Sequence, residues 1–314
     1  LTDVRTVHSF QELTDRFFQE EVTSSTLTLH YTLRDPQVYG ISDIPVRYNA
    51  TTSDVSAAAD YLQQLTDLDP SCLPLSDQIT YDILLYLLNQ NLSAQNFSLY
   101  TEPLGATIGI QAQLPVLLCE YRFENINDIH TYLQLLSTTD QYFSSLLSYE
   151  RQKAAAGLFM PDSCADDIIR QCSTFIEKEP SLHLLVTVFN RKTGEAAFLT
   201  ESEKKDLMQQ NLDLVTHHVF PAYQLLIRGL ENLKQFCQNQ KGLCCLPQGR
   251  SYYEYLVRST TGDDSPISQI EERIKKEVVS AYSNVQTLLQ TEGLTSISLD
   301  NITVPDPEEI MVKL

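Results

Sequence analysis

Apolar residues recur at intervals of three and four along most of this chain, which is the spacing of amphipathic α-helices. The first such run follows the capping-box pair Ser9 and Glu12 and continues to about Thr23. The same spacing predicts further helices from near Ser53, from Ser76, near Pro115, over 126–136, over 140–155 and over 162–178. The chain is therefore expected to consist mainly of helices that each bury one face.

Two longer runs follow in the second half of the chain. One extends from Ser202 to about Cys237, and we expect Pro221 to kink it. The other starts at Ile267 and ends at Gly293. Beyond it, residues 294–314 are extended in character, broken by proline, and close on what resembles the start of another element. We therefore expect this chain to be part of a longer protein.

Four stretches need a more specific prediction. Residues 27–41 are expected to form an extended or turning connector, because Pro36 and Gly40 interrupt them. Pro115 indicates a helix that starts there or is kinked there. Residues 181–190 fit a strand or a helix, and their apolar spacing favours the helix. In the helix after Ser76, the residues expected to be buried are Ile79, Ile83, Leu84, Leu87 and Leu88.

These elements together predict the fold class. Some nine or ten helices, few or no strands, short loops and no internal repeat indicate a mainly α protein. We expect a bundle-like array with long kinked helices that forms a single unit over residues 1–314.

Charge narrows the range of partners. The chain of 314 residues carries 41 acidic and 22 basic side chains, a formal net charge of -19, and no basic block. Nucleic acid and anionic membrane surfaces are therefore not expected as partners, because both need a positive surface. No apolar run is long enough to span a bilayer. The N-terminus lacks both a signal peptide and an initiator Met, which predicts a trimmed or mature chain.

The segment from Gly242 to Gly262, GLCCLPQGRSYYEYLVRSTTG, differs from the rest of the chain. Its glycines and Pro247 predict a shaped loop, and a helix should follow from Ser251 to Arg258. This loop and helix can offer phenol hydroxyls and guanidinium groups to a polar ligand. The alternative is a tyrosine-rich packing helix. The candidate substrate-binding residues are Arg250, Tyr252, Tyr253, Arg258, Thr260 and Thr261.

Several kinds of chemistry lack their motif in this sequence. None of the six histidines starts an H-E-x-x-H zinc motif, and His217 and His218 are adjacent, so they point about 100° apart on a helix. No nucleophile elbow, P-loop or dinucleotide fingerprint is present. Of the seven cysteines, the adjacent Cys244 and Cys245 are the candidates for redox chemistry. We therefore predict no catalytic residue, metal ligand or cofactor site within this chain.

Several long and unusually composed strings carry a resemblance to a known family. They are LHYTLRDPQVYGI from Leu29, EPLGATIGIQAQLPVLLCEYRF from Glu102, DIHTYLQLL from Asp128, AGLFMPD from Ala156 and GLCCLPQGRSYYEYLV from Gly242. On these strings the whole chain is similar to a bacterial family catalogued as domain of unknown function 885.

The resemblance implies a larger protein. Members of that family look about twice as long, are grouped with zinc metallopeptidases, and include many lipoproteins and exported proteins. Their H-E-x-x-P-G-H motif lies in the C-terminal half, past the position of Leu314. The resemblance thus implies that zinc belongs to the full-length protein and that the present chain forms one wall of a deep cleft. No metal ligand of the family has a matching position here.

Two hypotheses about function follow. The first is the non-catalytic helical half of an exported or cell-envelope zinc metallopeptidase-like hydrolase, although the residues alone leave a cytoplasmic location open. Its partners would be the missing C-terminal half and a peptide substrate, and an exposed apolar face would be covered by that half or by a second copy in a homodimer. The second hypothesis is a self-sufficient helical module that binds a peptide or small ligand without catalysis.

Overall fold

The computed structural model describes residues 3–42, 44–50, 55–237 and 241–291, and these ranges contain helices and no strand. The predicted all-α class is confirmed. The α-helices are α1 (Val4–Val22), α2 (Thr26–Thr32), α3 (Val55–Thr66), α4 (Leu75–Ser93), α5 (Ile110–Glu120), α6 (Ile126–Leu136), α7 (Thr139–Ala155), α8 (Asp162–Phe175), α9 (Leu184–Glu195), α10 (Glu201–Leu214), α11 (Phe220–Leu233), α12 (Gly249–Thr261) and α13 (Ile267–Thr291).

Two compact units divide the chain, Leu1–Tyr255 and Leu256–Leu314. The described part of the second unit consists of the end of α12, a short connection and α13. The sequence prediction of one unit over residues 1–314 stays a prediction, because residues 292–314 lie outside the described ranges.

The main core of the first unit lies where α11 packs between α7 and α8. Leu146 of α7, Ile168 of α8 and Leu226 of α11 are fully buried. Burying each of these side chains stabilises the fold by about 1.5–3 kcal/mol. Gly229 of α11 lies directly against the side chain of Leu147 on α7, so a larger residue there would collide with it. The absent side chain therefore sets how closely α11 approaches α7.

A smaller core joins α1, α3 and α4 within the same unit. Phe10 of α1, Leu65 of α3, and Leu84 and Leu88 of α4 contribute buried side chains to it. The predicted apolar face of α3 is confirmed at Ala58 and Leu65, which are both buried.

The face of α4 that the sequence predicted to be buried is partly wrong. Leu84 and Leu88 are buried, but Ile79, Ile83 and Leu87 are 55%, 61% and 40% exposed. The reason is that α4 carries apolar residues on two sides, so that periodicity alone does not choose the side that meets α3. Tyr81 completes the buried side.

Two N-terminal elements also differ from the prediction. The first helix starts at Val4, well before Ser9, because the Asp3 side chain accepts a hydrogen bond from the Arg5 amide and caps it. Helix α2 occupies part of the predicted extended connector. The Ser25 hydroxyl accepts a bond from the Thr28 amide at 3.0 Å and caps α2, a signal that the low helix propensity of threonine conceals. The helix predicted over 181–190 is confirmed by α9.

Pro115 lies inside α5, so the helix starts at Ile110 and not at the proline. Proline has no amide hydrogen to donate to the carbonyl four residues earlier, which belongs to Gln111. The hydroxyl of Tyr223 donates to that carbonyl instead, at 2.8 Å. At Pro221, where a kink was predicted, a π-helical turn over 215–219 separates α10 from α11. Both prolines therefore sit where the regular hydrogen-bond ladder is altered.

Candidate functional site

A sharp loop precedes α12, as the sequence predicted. Gly242 has a φ of 78°, in the left-handed region that favours glycine. Gly249, the first residue of α12, lies so close to the carbonyl of Leu243 that any Cβ would overlap it. The predicted helix over 251–258 is confirmed as part of α12. Glycine is thus required at 249 for the loop to turn directly into the helix.

Four aromatic rings fix the start of α12 against the segment that follows α4, and we call them the aromatic cluster: Phe97, Tyr100, Tyr252 and Tyr255. The Tyr252 ring centroid lies 5.3 Å from that of Phe97 and 5.1 Å from that of Tyr100. The Gln248 amide donates to the Tyr100 hydroxyl at 3.0 Å. Such contacts between aromatic rings contribute more stability to the fold than the area they bury would give. Tyr252 therefore takes part in packing, as the tyrosine-rich packing alternative expects, and its role in substrate binding stays a prediction.

Arg250 and Tyr253 lie on the exposed side of the same helix. The Arg250 guanidinium Nε is 3.0 Å from a Glu254 carboxylate oxygen, and its side chain is 88% exposed. Tyr253 is 49% exposed. Both therefore present polar groups to solvent, and their role in substrate binding stays a prediction.

The remaining candidates, Arg258, Thr260 and Thr261, belong to the second compact unit. There the Arg258 Nε lies 3.7 Å from a carboxylate oxygen of Asp264. The Thr261 hydroxyl donates to the Val257 carbonyl at 2.7 Å, and Thr260 is exposed. The unit boundary between residues 255 and 256 thus divides the six candidates into two groups of three.

Sequence reasoning missed a group of three charged side chains next to the aromatic cluster, which we call the acid–lysine group: Glu102, Glu150 and Lys153. Glu150 and Lys153 of α7 are fully buried. The Lys153 ammonium lies 2.5 Å from the Glu102 carboxylate and 3.9 Å from that of Glu150, and it donates to the Thr101 carbonyl at 3.2 Å. The signal in the sequence was a Glu and a Lys three residues apart within an otherwise core-forming helix.

Burial sets the protonation of these acids. Loss of solvent raises the pKa of Glu150 to about 7, with Lys153 opposing the rise and Glu102 adding to it. Loss of solvent also raises the pKa of Glu102, although half of its side chain is exposed, and Lys153 again opposes it. Neither carboxylate oxygen of Glu150 has a hydrogen-bond partner in the structure. Glu150 can therefore gain or lose a proton near neutral pH, a property that often marks functional sites.

Tyr149 connects the acid–lysine group to the aromatic cluster. Its hydroxyl donates to the Ser98 carbonyl at 2.7 Å, one residue after Phe97. Together with the bond from Lys153 to Thr101, this anchors the segment 98–101 to α7. The inner side of α12 thus packs on a segment that is itself hydrogen-bonded to α7.

A cavity of about 470 Å³ opens elsewhere in the first unit, between α2, α5 and α7. Its size is within the range of small-ligand pockets. Its walls carry no charged side chain, and burial raises the pKa of Tyr31 and of Tyr142 to about 12. The lining residues are Ser25, Leu27, Thr28, Tyr31, Tyr48, Asn49, Ala50, Thr101, Pro103, Ile110, Gln113, Leu114, Leu117 and Tyr142.

A family model described as bacterial protein of unknown function, DUF885, matches residues 45–311. The chain belongs to this family. The resemblance found in the sequence is thereby confirmed. No curated protein matches the chain.

A solved structure is similar in fold. It is the crystal structure of a protein described as a putative lipoprotein from Colwellia psychrerythraea, with a TM-score of 0.75 and 16% sequence identity. The match covers 94% of this chain and 52% of the other. The chain thus spans about half the length of that protein. At this identity the likeness shows the shared fold.

The histidines, cysteines and acids do not assemble a metal site in the described part of the chain, where no group of three or more such side chains could hold an ion. His217 bonds through Nδ1 to the Asp213 carbonyl at 2.8 Å, whereas Nδ1 of His218 lies 3.4 Å from an Asp140 carboxylate oxygen. The two imidazoles therefore contact different partners. The thiols of Cys244 and Cys245 are exposed, with their sulfurs 3.8 Å apart.

Within the described ranges, none of the helices has both the length and the hydropathy needed to cross a bilayer.

Proposed function

We propose that this chain is the non-catalytic, helical part of a larger zinc metallopeptidase-like hydrolase and forms one wall of its substrate cleft. The observation that carries the proposal is the fold match, which covers nearly all of this chain and about half of a longer protein. Membership of the family supports the same interpretation. In this proposal the remainder of the longer protein supplies the zinc ligands.

The residues described here do not fit a zinc site, so no chemical step is assigned to zinc in this chain. Its contribution is to bind substrate. The exposed guanidinium of Arg250 would donate hydrogen bonds to a peptide carboxylate or carbonyl, and the Tyr253 hydroxyl would hydrogen-bond to the peptide backbone. The aromatic cluster would hold both residues in place.

Location follows as part of the same proposal. The similar solved protein is described as a putative lipoprotein, which supports an exported or cell-envelope location for this one. Fractionation of cells that express the natural gene would test it, and recovery in the cytosolic fraction would contradict it.

The decisive experiment extends the reading frame beyond Leu314 and purifies the longer product. We expect about one zinc ion per chain by elemental analysis, peptide cleavage that a chelator abolishes, and no cleavage by residues 1–314 alone. A longer product with neither zinc nor cleavage would refute the hydrolase proposal.

The uncharged cavity favours a second candidate function, a binding module that holds a small ligand without chemistry. In that case a ligand raises the melting temperature of residues 1–314 by themselves. Replacing both Arg250 and Tyr253 with Ala separates the two places where the ligand could bind. Lost binding assigns the ligand to α12, and unchanged binding removes α12 and leaves the cavity.

A further inference from the structure

Helix α13 exposes an apolar stripe along its length. Ile274, Val278, Tyr282 and Val285 recur at intervals of four, four and three, and they are 56%, 62%, 63% and 43% exposed. These intervals place them on one face. No residue of α13 is buried. A stripe of this kind normally faces other protein.

The second half of this helix is unusual in a further way. From Val278 to Thr291 it carries no Asp, Glu, Lys, Arg or His, although the chain as a whole has a net charge of -19. The charged residues of α13 all lie in its first half, between Glu271 and Glu277. On the side opposite the stripe this half carries uncharged polar residues, Ser280, Ser283 and Thr287, so it is amphipathic without being charged. An interface on it would therefore depend on apolar contacts and not on ion pairs.

Two occupants could cover the stripe: a second copy of the chain, or a further part of a longer polypeptide. The similar solved protein favours the longer polypeptide, because the present fold accounts for 52% of its chain.

We propose that the apolar stripe of α13 is an interaction surface, covered by an apolar face of the remaining portion of a longer form of this protein. The proposal rests on the proposed function in that both assume the longer polypeptide. It goes beyond it by naming the surface where the two portions meet.

The test measures how fast a thiol reagent labels single introduced cysteines. Tyr282→Cys lies on the stripe, and Lys276→Cys lies on the opposite side of the charged first half and is the matched control. Iodoacetamide labelling is followed by mass spectrometry of the peptide that carries each site, which separates it from the seven native cysteines. In residues 1–314 alone both sites should be labelled at similar rates.

In the product of the extended reading frame, we expect labelling of Cys at 282 to slow by at least about a hundredfold, the scale of protection in a stably packed element, and labelling at 276 to change little. Val285→Cys, a smaller change of side chain, repeats the measurement if Tyr282→Cys prevents folding. Equal labelling of the stripe in the short and long forms would overturn the proposal, and so would a reading frame that stops at Leu314.

A dimer of residues 1–314 that protects position 282 in a concentration-dependent way would also overturn it, in favour of a second copy. Failure of the proposed function is a separate result. If the long form protects the stripe but binds no zinc and cleaves no peptide, the interaction surface stands and the hydrolase does not.

Discussion

Replacing Glu150 with Gln tests whether the acid–lysine group makes stability depend on pH. Glutamine has the shape of the protonated acid and no charge. Burial raises the pKa of Glu150 from 4.5 to about 7, so its proton is bound more tightly in the folded than in the unfolded chain. A group with a raised pKa contributes stability that is complete below pH 4.5 and is lost as the pH rises through about 7.

The rise of the Glu150 pKa from 4.5 to about 7, at about 1.36 kcal/mol per pKa unit, gives an effect of about 3 kcal/mol well above pH 7. Between pH 5.5 and pH 8.5 the wild-type protein should lose about 2 kcal/mol from this group alone, and Glu150→Gln should not. The variant should therefore be about 2–3 kcal/mol more stable than wild type at pH 8.5, and the gap should narrow towards acid pH.

Urea unfolding, followed by circular dichroism at several pH values, measures this difference. Other acids shift wild type and variant alike, so the comparison isolates position 150. Glu195→Gln is the control, because the Glu195 side chain is 66% exposed on α9. The free energy of unfolding of this variant should follow that of wild type at every pH. Parallel stability curves for wild type and Glu150→Gln would refute the assignment of a near-neutral buried acid.

Further predictions concern packing. Gly229→Ala should destabilise the protein by about 1–3 kcal/mol through overlap with α7, whereas Gly194→Ala, which has ordinary room beside Met208, should be neutral or stabilising by up to about 1 kcal/mol in thermal unfolding. Tyr252→Ala should cost about 1–3 kcal/mol through the aromatic cluster, and the neighbouring exposed Tyr253→Ala less than about 0.5 kcal/mol; equal costs would contradict the assigned roles. Tyr223→Phe should cost about 1–3 kcal/mol by leaving a buried carbonyl in α5 without its donor.

Helix class and position were largely predictable from the sequence, because apolar periodicity reports them directly. The segment over 181–190 was assigned correctly for that reason. Where two faces of a helix are apolar, as in α4, periodicity does not say which one is buried, and Ile83 was placed inside when it is exposed. The short helix α2 depended on a cap at Ser25 that its threonine-rich sequence conceals.

The candidate site was predictable only in part. The loop and helix around Gly249 follow from the distinctive composition of that segment. The function of its tyrosines does not follow from composition, because adjacent residues of one helix point in different directions. In addition, the partners of Tyr252 come from a segment about 150 residues earlier in the chain. Glu150 was missed for the same reason, since its raised pKa results from a tertiary environment that spacing along the chain does not encode.

The uncharged second half of α13 also determines how the purified chain should respond to ionic strength. Mutual repulsion between molecules with a net charge of -19 keeps them apart in dilute buffer. At 0.1 M added salt, this repulsion is largely screened at separations beyond about 10 Å. The apolar stripe itself is not weakened by salt. The labelling of residues 1–314 is therefore compared in dilute buffer, where this repulsion keeps the molecules apart. Added sodium chloride should promote their association, the opposite of what an interface held by ion pairs would show.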